Sequence, residues 1–241
     1  MISLDKAQAD QLLYALMTEA IAAANPAVAL PAFLPTPPKG RTVVLGAGKA
    51  SAAMARAVEE NWPGKISGLI VTRYGFACPC KHIEVVEAAH PVPDAAGREA
   101  ASRVLKLAAG LGSEDLCLTL MSGGASALLV EPVEGITLTE KQEVNRLLLG
   151  SGANITEMNT VRKHLSAIKG GRLARALNPA KIITLMISDV PGDDPGVIGS
   201  GPTVPDQTTF ADAIAIIEKY NIKLPSAVHG YLERGVDETP K

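Results

Sequence analysis

Four short stretches of this chain collect the residue types that handle phosphate and metal ions: GAGKAS at 46–51, MSGGAS at 121–126, NTVRKHLSAIKGG at 159–171 and SDVPGDD at 188–194. In the first, Gly46 and Gly48 permit a tight turn, and Lys49 sets an ammonium at the start of a helical stretch. A helix N-terminus already carries partial positive charge, so a lysine there is costly unless an anion compensates it. The second stretch, Ser122-Gly123-Gly124-Ala125-Ser126, offers consecutive unhindered N–H groups and two hydroxyls, the makings of an anion nest. One such loop can be a mere turn; two on one sheet edge favour a polyphosphate over a single carboxylate.

The fourth stretch gathers Asp189, Asp193 and Asp194 across a Pro-Gly turn, hard oxygen ligands of the kind Mg²⁺ takes while keeping several waters. Aspartate also caps and turns chains, so one of the three is expected to be structural. In the third stretch Asn159 and Lys163 share a helical face, and Gly170-Gly171 breaks the pattern so that a new helix starts beside Lys169. Asn159, Lys169, Gly170 and Gly171 are its candidate nucleotide contacts, set against the plainer reading of a solvated basic helix face. His164 alone reads as a hydrogen-bonded structural histidine.

Several familiar motifs are absent. GAGKAS departs from the dinucleotide fingerprint at Ser51, and the second apolar run ends in Thr72-Arg73 rather than an acid, which weakens a dehydrogenase reading but leaves NADP open through Arg73. A Walker A loop is excluded, because Val43 stands where its first glycine belongs and Ala50 follows Lys49. Cys78, Cys80 and His82 match no zinc spacing, and no G-x-S-x-G elbow supports a serine hydrolase.

These loops need a scaffold that presents them together. Five apolar runs, at 42–46, 68–72, 83–88, 116–121 and 181–188, are mostly separated by helical spacing at 49–61, 94–109, 140–149 and 156–168. Such alternation predicts βαβ units: an α/β fold with a doubly wound, mostly parallel, Rossmann-like sheet and helices on both faces. The carboxyl ends of parallel strands open on one crevice, and GAGK, TRYGF, AHPVPD, SGGAS and SDVPGDD all leave such ends. The structureless 188–206 segment is long enough to be functional. Ahead of the sheet, residues 3–25 read as an amphipathic helix capped by Ser3.

Composition narrows the partners. The 241 residues are 47% hydrophobic but only 3% aromatic, so the core is built from aliphatic residues, as in buried parallel sheets. A net charge of −2 gives no field for nucleic acid or an anionic membrane. Three cysteines make no disulfide framework and fit a reducing cytoplasm, and no signal peptide or membrane span is read.

The set GAGKASAAMA, EAAHPVPDAAG, LMSGGASALL, EMNTVRKHLSAIKGGRLA and ISDVPGDDPGVIGSGPTVPD resembles the glycerate 2-kinase family, whose members are often labelled hydroxypyruvate reductases of tartrate degradation. The resemblance spans nearly the whole chain and implies a Rossmann-like N-terminal domain over 1–241, with the active site in a cleft against a C-terminal domain that this chain does not contain. It implies Mg²⁺-dependent phosphoryl transfer from ATP to the 2-hydroxyl of D-glycerate, with Lys49 and Asp189 catalytic. Gly46, Gly48 and the Ser122–Ser126 loop then hold phosphates, and Asp189 with Asp193 holds the metal or orients the hydroxyl. The chain alone is expected to be nearly inactive, and a homodimer is compatible with this reading. An NAD(P)H-dependent hydroxypyruvate reductase and a non-catalytic nucleotide- or phosphate-binding fragment stand as alternatives.

Overall fold

A computed structural model describes residues 5–241. The expected cap Ser3 lies outside the described residues; the first helix, α1 (Lys6–Ala23), is capped by Asp5, whose side chain and Gln8 form a capping box. After α2 (Pro26–Ala29) and a 3₁₀ turn at Pro31–Phe33 come β1 (Thr42–Ala47), α3 (Ser51–Asn61), β2 (Ile66–Arg73) and β3 (Ile83–Ala88). Next are α4 (Ala95–Ala109), β4 (Leu116–Ser122), the short α5 (Ala125–Leu128), α6 (Leu138–Ser151), α7 (Ile155–His164) and α8 (Arg172–Leu177). The chain finishes through β5 (Lys181–Ile187), a 3₁₀ turn at Ile198–Ser200, α9 (Phe210–Lys219) and α10 (Ser226–Arg234). No single described helix is long and apolar enough to cross a membrane, although α1 with the bent segment through Phe33 meets that composition as a pair.

All five apolar runs are strands of one all-parallel sheet, in the order β3-β2-β1-β4-β5. The two-residue period divides its side chains between two cores. Val43, Leu45, Cys117 and Met121 face α4, α5 and α8, while Val44, Leu116, Leu118 and Leu120 face α3 and Trp62. The sheet is therefore wound on both faces, as the apolar runs of its central strands β1 and β4, buried throughout, require.

A third apolar cluster lies apart from both. Here α6, α7, α9 and α10 pack through Val144, Leu148, Met158, Val161, Phe210, Ile217, Val228 and Leu232. His164 is buried in this region, its Nδ1 at 2.8 Å from Thr160 O and its Nε2 at 2.8 Å from Glu238 Oε1, with Phe210 edge-on at 4.9 Å. The helix expected over 156–168 ends at His164. Beyond it the Ser166 N–H bonds Lys163 O and the Ala167 N–H turns away to Glu131 O, so Ile168 enters the sheet core from a loop.

Candidate functional site

The strand order reverses between β1 and β4: β1 continues to β2 on one side, and the other side belongs to a later part of the chain. At such a switch point the loops leaving two neighbouring strands diverge and open a crevice. Here those loops are GAGK and SGGAS, and they are stitched together. The Lys49 N–H donates to Gly123 O at 2.9 Å, and the Ala50 N–H donates to Ser122 Oγ at 3.0 Å. Gly48 makes this approach possible: at φ 139°, a Cβ would fall 2.0 Å from Ser122 Oγ and 2.7 Å from Ser122 O. The Gly48 carbonyl accepts from Ser51 Oγ at 2.7 Å and from Thr72 Oγ1 at 3.1 Å, which anchors the turn to α3 and β2.

Above this joint Lys49 is half-buried and makes no ion pair or hydrogen bond through its ammonium with any described residue. Its stem runs beside Gly124, where a Cβ would lie 3.5 Å from Lys49 Cε and 2.9 Å from His90 Nε2. Gly124 has φ 89°, the left-handed conformation that starts α5. No partner among the described residues takes the N–H groups of Gly123, Gly124, Ala125 or Ser126, so four consecutive donors are left without an internal acceptor in the loop beside Lys49 and His90. The Asp189 carboxylate closes the other side; a Cβ on Gly123 would lie 2.3 Å from its Oδ2. Burial, then the charges of Lys49 and Arg73, hold the His90 imidazole below its ordinary pKa against the opposing pull of Asp189. At pH 7 the ring is neutral.

The sequence-derived candidates thus divide. Lys49, Gly48, Gly123, Gly124 and Asp189 come together around one point. Gly46 does not belong to the cradle: it lies within β1, paired with Ile70 and Leu120, and its contact is the Leu120 carbonyl of the neighbouring strand. The Ser122 hydroxyl accepts from Ala50, and that of Ser126 is bonded to Ser200 Oγ at 2.8 Å, so these two serve as joints. Gly170 and Gly171, expected to offer N–H groups to a nucleotide, already donate them to Ser200 O and Gly201 O. Asn159 is buried, with Ser200 Oγ at 3.5 Å from its Oδ1. Lys169 is buried too, its ammonium bonded to Ser126 O at 2.5 Å and Leu129 O at 3.0 Å, where it closes the C-terminus of α5. Asp193 stands exposed on the Val190–Asp193 turn at φ 53°.

Among the described residues no three His, Cys, Asp or Glu side chains converge as a metal cage. A lone carboxylate such as Asp189 beside unpaired backbone N–H groups could hold a Mg²⁺ only with waters and ligand oxygens completing its shell, and does not fit a cation held by protein alone. His90 and Arg73 are additions to the site. Their segments, AHPVPD and TRYGF, follow the third and second apolar runs directly, and strand-end position was the signal that marked them. Arg73 is stacked on Phe76, its guanidinium carbon 4.1 Å from the ring centre.

Residues 12–233 match the family described as "Domain of unknown function (DUF4147)". A provisionally named hydroxypyruvate reductase of Agrobacterium vitis is 57% identical over 97% of the chain and 53% of that relative. A D-glycerate 2-kinase of Thermotoga maritima is 42% identical over 96% of the chain and 55% of that relative. The chain spans about half the length of the curated relatives it matches. Among solved structures, a Pyrococcus horikoshii protein superposes with a TM-score of 0.89 at 40% identity, covering all of this chain and 58% of that one. A glycerate kinase of Thermotoga maritima superposes with a TM-score of 0.87 at 41% identity, over 96% of this chain and 56% of that one.

Proposed function

This chain belongs to the DUF4147 family, and we propose from that premise that it is the phosphate-handling half of a glycerate 2-kinase. The reaction is transfer of the terminal phosphoryl group of Mg-ATP to the 2-hydroxyl of D-glycerate. The hydroxyl oxygen forms the new P–O bond, the bond to ADP breaks, and the hydroxyl proton passes to a base. The observation that carries this reading is the Lys49 ammonium, half-buried and without a partner among the described residues, beside four N–H donors that likewise have none among them, at the sheet's switch point. Such an arrangement suits a group whose negative charge is spread over several oxygens, as in a loose phosphoryl-transfer transition state.

In this reading the N–H groups of Gly123–Ser126 hold phosphate oxygens and Lys49 neutralises the transferring group. Bound Mg²⁺ would supply charge neutralisation on the phosphates, with Asp189 as its protein contact. Asp189 also stands as the acceptor of the hydroxyl proton, and neutral His90 fixes the Lys49 stem without adding a second positive charge. Asp193, on its exposed turn, is the outer candidate for the metal. The curated relatives are about twice as long as this chain, and in this reading their remaining length supplies the second wall of the site, so residues 1–241 by themselves would bind Mg-ATP but be nearly inactive.

The test is Lys49→Met, which keeps the stem and removes the charge. Mg-ATP affinity by calorimetry should fall at least about tenfold, and turnover by about 10²–10³ in the enzyme completed with the C-terminal half of the Thermotoga relative. Unchanged affinity and turnover would make Lys49 a helix-start residue only. Hydroxypyruvate-dependent oxidation of NADPH without ATP would favour the reductase reading instead.

A further inference from the structure

A cleft of about 670 Å³ opens from the mouth of this site, sharing His90, Gly124 and Ser126 with it and running beneath α6. Four cations line it: Arg146 of α6, which is paired with Glu143 of the same helix, and three without a carboxylate partner, Lys141 of α6, Arg162 of α7 and Lys169 of the loop before α8. Lys141 is 6% exposed and Lys169 2%, and their ammonium groups donate only to main-chain carbonyls, Leu165 O at 2.7 Å for Lys141 and those of Ser126 and Leu129 for Lys169. Arg162 Nε donates to Asn145 Oδ1 at 2.7 Å, and its two terminal nitrogens bond no described residue. None of the three forms an ion pair with a carboxylate among the described residues. The acids nearby are engaged elsewhere: Glu143 with Arg146, and Glu131 with Arg98 at 3.6 Å.

Proteins bury charge when it is paired, and unpaired buried charge is expensive. Three unpaired cations around one solvent-reachable cleft, whose lining acid Glu143 is already taken by Arg146, therefore mark a place where the anion arrives from outside. We propose that the floor of this cleft binds the carboxylate of the acceptor, a small 2-hydroxy acid, with the Arg162 fork and the Lys141 ammonium as its contacts. This rests on the kinase reading, which puts phosphate at the adjoining Gly123–Ser126 loop. A planar guanidinium with two free nitrogens matches a carboxylate bidentately. Pro91, Val92, Pro93 and Leu149 give the cleft an apolar rim. The cleft meets the glycine loop at His90, Gly124 and Ser126, so an acid held in it lies next to that loop.

Burial, with repulsion from Arg162 and Arg172 and a weaker counter-pull from Glu131, brings Lys141 down to about 7; burial and repulsion from Lys141 and Arg162 lower Lys169 as well. An anion arriving between them raises both, so binding takes up protons and strengthens as pH falls from 9 toward 7.

Calorimetry with D-glycerate, glycerol, inorganic phosphate and Mg-ATP on the full chain tests this. D-glycerate should bind and glycerol, which lacks the carboxylate, should not. Arg162→Ala and Lys141→Met should each weaken D-glycerate about tenfold or more, with partial recovery in Arg162→Lys, while Mg-ATP affinity stays within about twofold. Retained Mg-ATP binding also certifies that the variants fold. Proton uptake, read from the heat in buffers of different ionisation enthalpy, should shrink in Lys141→Met. The assignment is overturned if neither variant weakens D-glycerate, if Mg-ATP weakens in parallel, or if inorganic phosphate competes as tightly as D-glycerate. A chain that binds Mg-ATP but no D-glycerate sinks the carboxylate subsite and leaves the kinase reading standing, whereas a chain that binds neither removes both.

Discussion

Gly123→Ala separates the chemistry of the site from the stability of the fold. Gly123 does not occupy the left-handed backbone region, so alanine there brings no φ penalty. What the methyl group meets is a side chain: Asp189 Oδ2 at 2.3 Å and Cγ at 2.9 Å, where ordinary van der Waals contact begins at 3.4 Å. The carboxylate oxygen must withdraw by about 1 Å, a displacement that costs roughly 10² in rate when the group is positioned for catalysis, or about 2.7 kcal/mol of barrier. Asp189 is exposed and follows the end of β5, so its retreat costs the fold only about 0.5–1.5 kcal/mol of rotamer strain. The melting temperature should drop by no more than about 2–6 °C. The assay is glycerate phosphorylation in the completed enzyme, run with Asp189→Ala and the double variant. If Asp189 is what the methyl group displaces, Gly123→Ala adds less than about 0.5 kcal/mol on top of Asp189→Ala. Wild-type turnover in Gly123→Ala, or full additivity with Asp189→Ala, would refute the placement of Asp189 in the reaction.

Gly48→Ala should act on the fold instead: φ 139° and the Ser122 carbonyl 2.7 Å from the new methyl group leave only separation of the two loops, at about 2 kcal/mol or more, and a loss below about 0.5 kcal/mol in urea unfolding would contradict that. Glu157 accepts from Lys219 Nζ at 2.7 Å, from the Asn154 N–H at 2.9 Å and from Tyr220 OH at 2.8 Å, and these bonds, led by Lys219, hold its carboxyl at about 2. Its stabilisation is complete above about 4.5 and is lost as pH falls toward 2, so the melting curves of wild type and Glu157→Gln should converge in acid; a constant gap would count against the linkage. Phosphate charge beside His90 favours the imidazolium, so its NMR titration midpoint should rise when Mg-ATP is added, and an unmoved midpoint would put the phosphates elsewhere.

The scaffold was legible because each strand carries a short, mainly apolar run rich in Val, Ile and Leu. The 83–88 run is β3 to the residue, and Asp94, read as the start of a helix, is the cap that accepts from the Gly97 N–H. Lys49 was legible through cost, as a cation where a helix dipole repels one. The serines were not, because a hydroxyl in a glycine loop can face a ligand or a neighbouring loop, and only the β1–β4 pairing decides that Ser122 turns to Ala50. Gly170 and Gly171 misled for the same reason: their N–H groups meet carbonyls thirty residues later in the chain. Lys141 left no signal at all, since on α6 it reads as one more solvated helical lysine, and its burial depends on α7 and the loop before α8 closing over it.

The apolar interior is divided between the two faces of the sheet and a separate helical cluster, a division from which two cooperative units are expected. The nest and Lys49 ride on the sheet, whereas Lys141 and Arg162 ride on the helical quartet whose interior is its own. Amide protons should exchange in two families, the quartet opening at lower free energy than the strands. A molecule lodged with one end on each unit acts as a rivet. Its occupancy would merge the two exchange families into one, and ligand affinity would become a gauge of how firmly the quartet is clamped to the sheet.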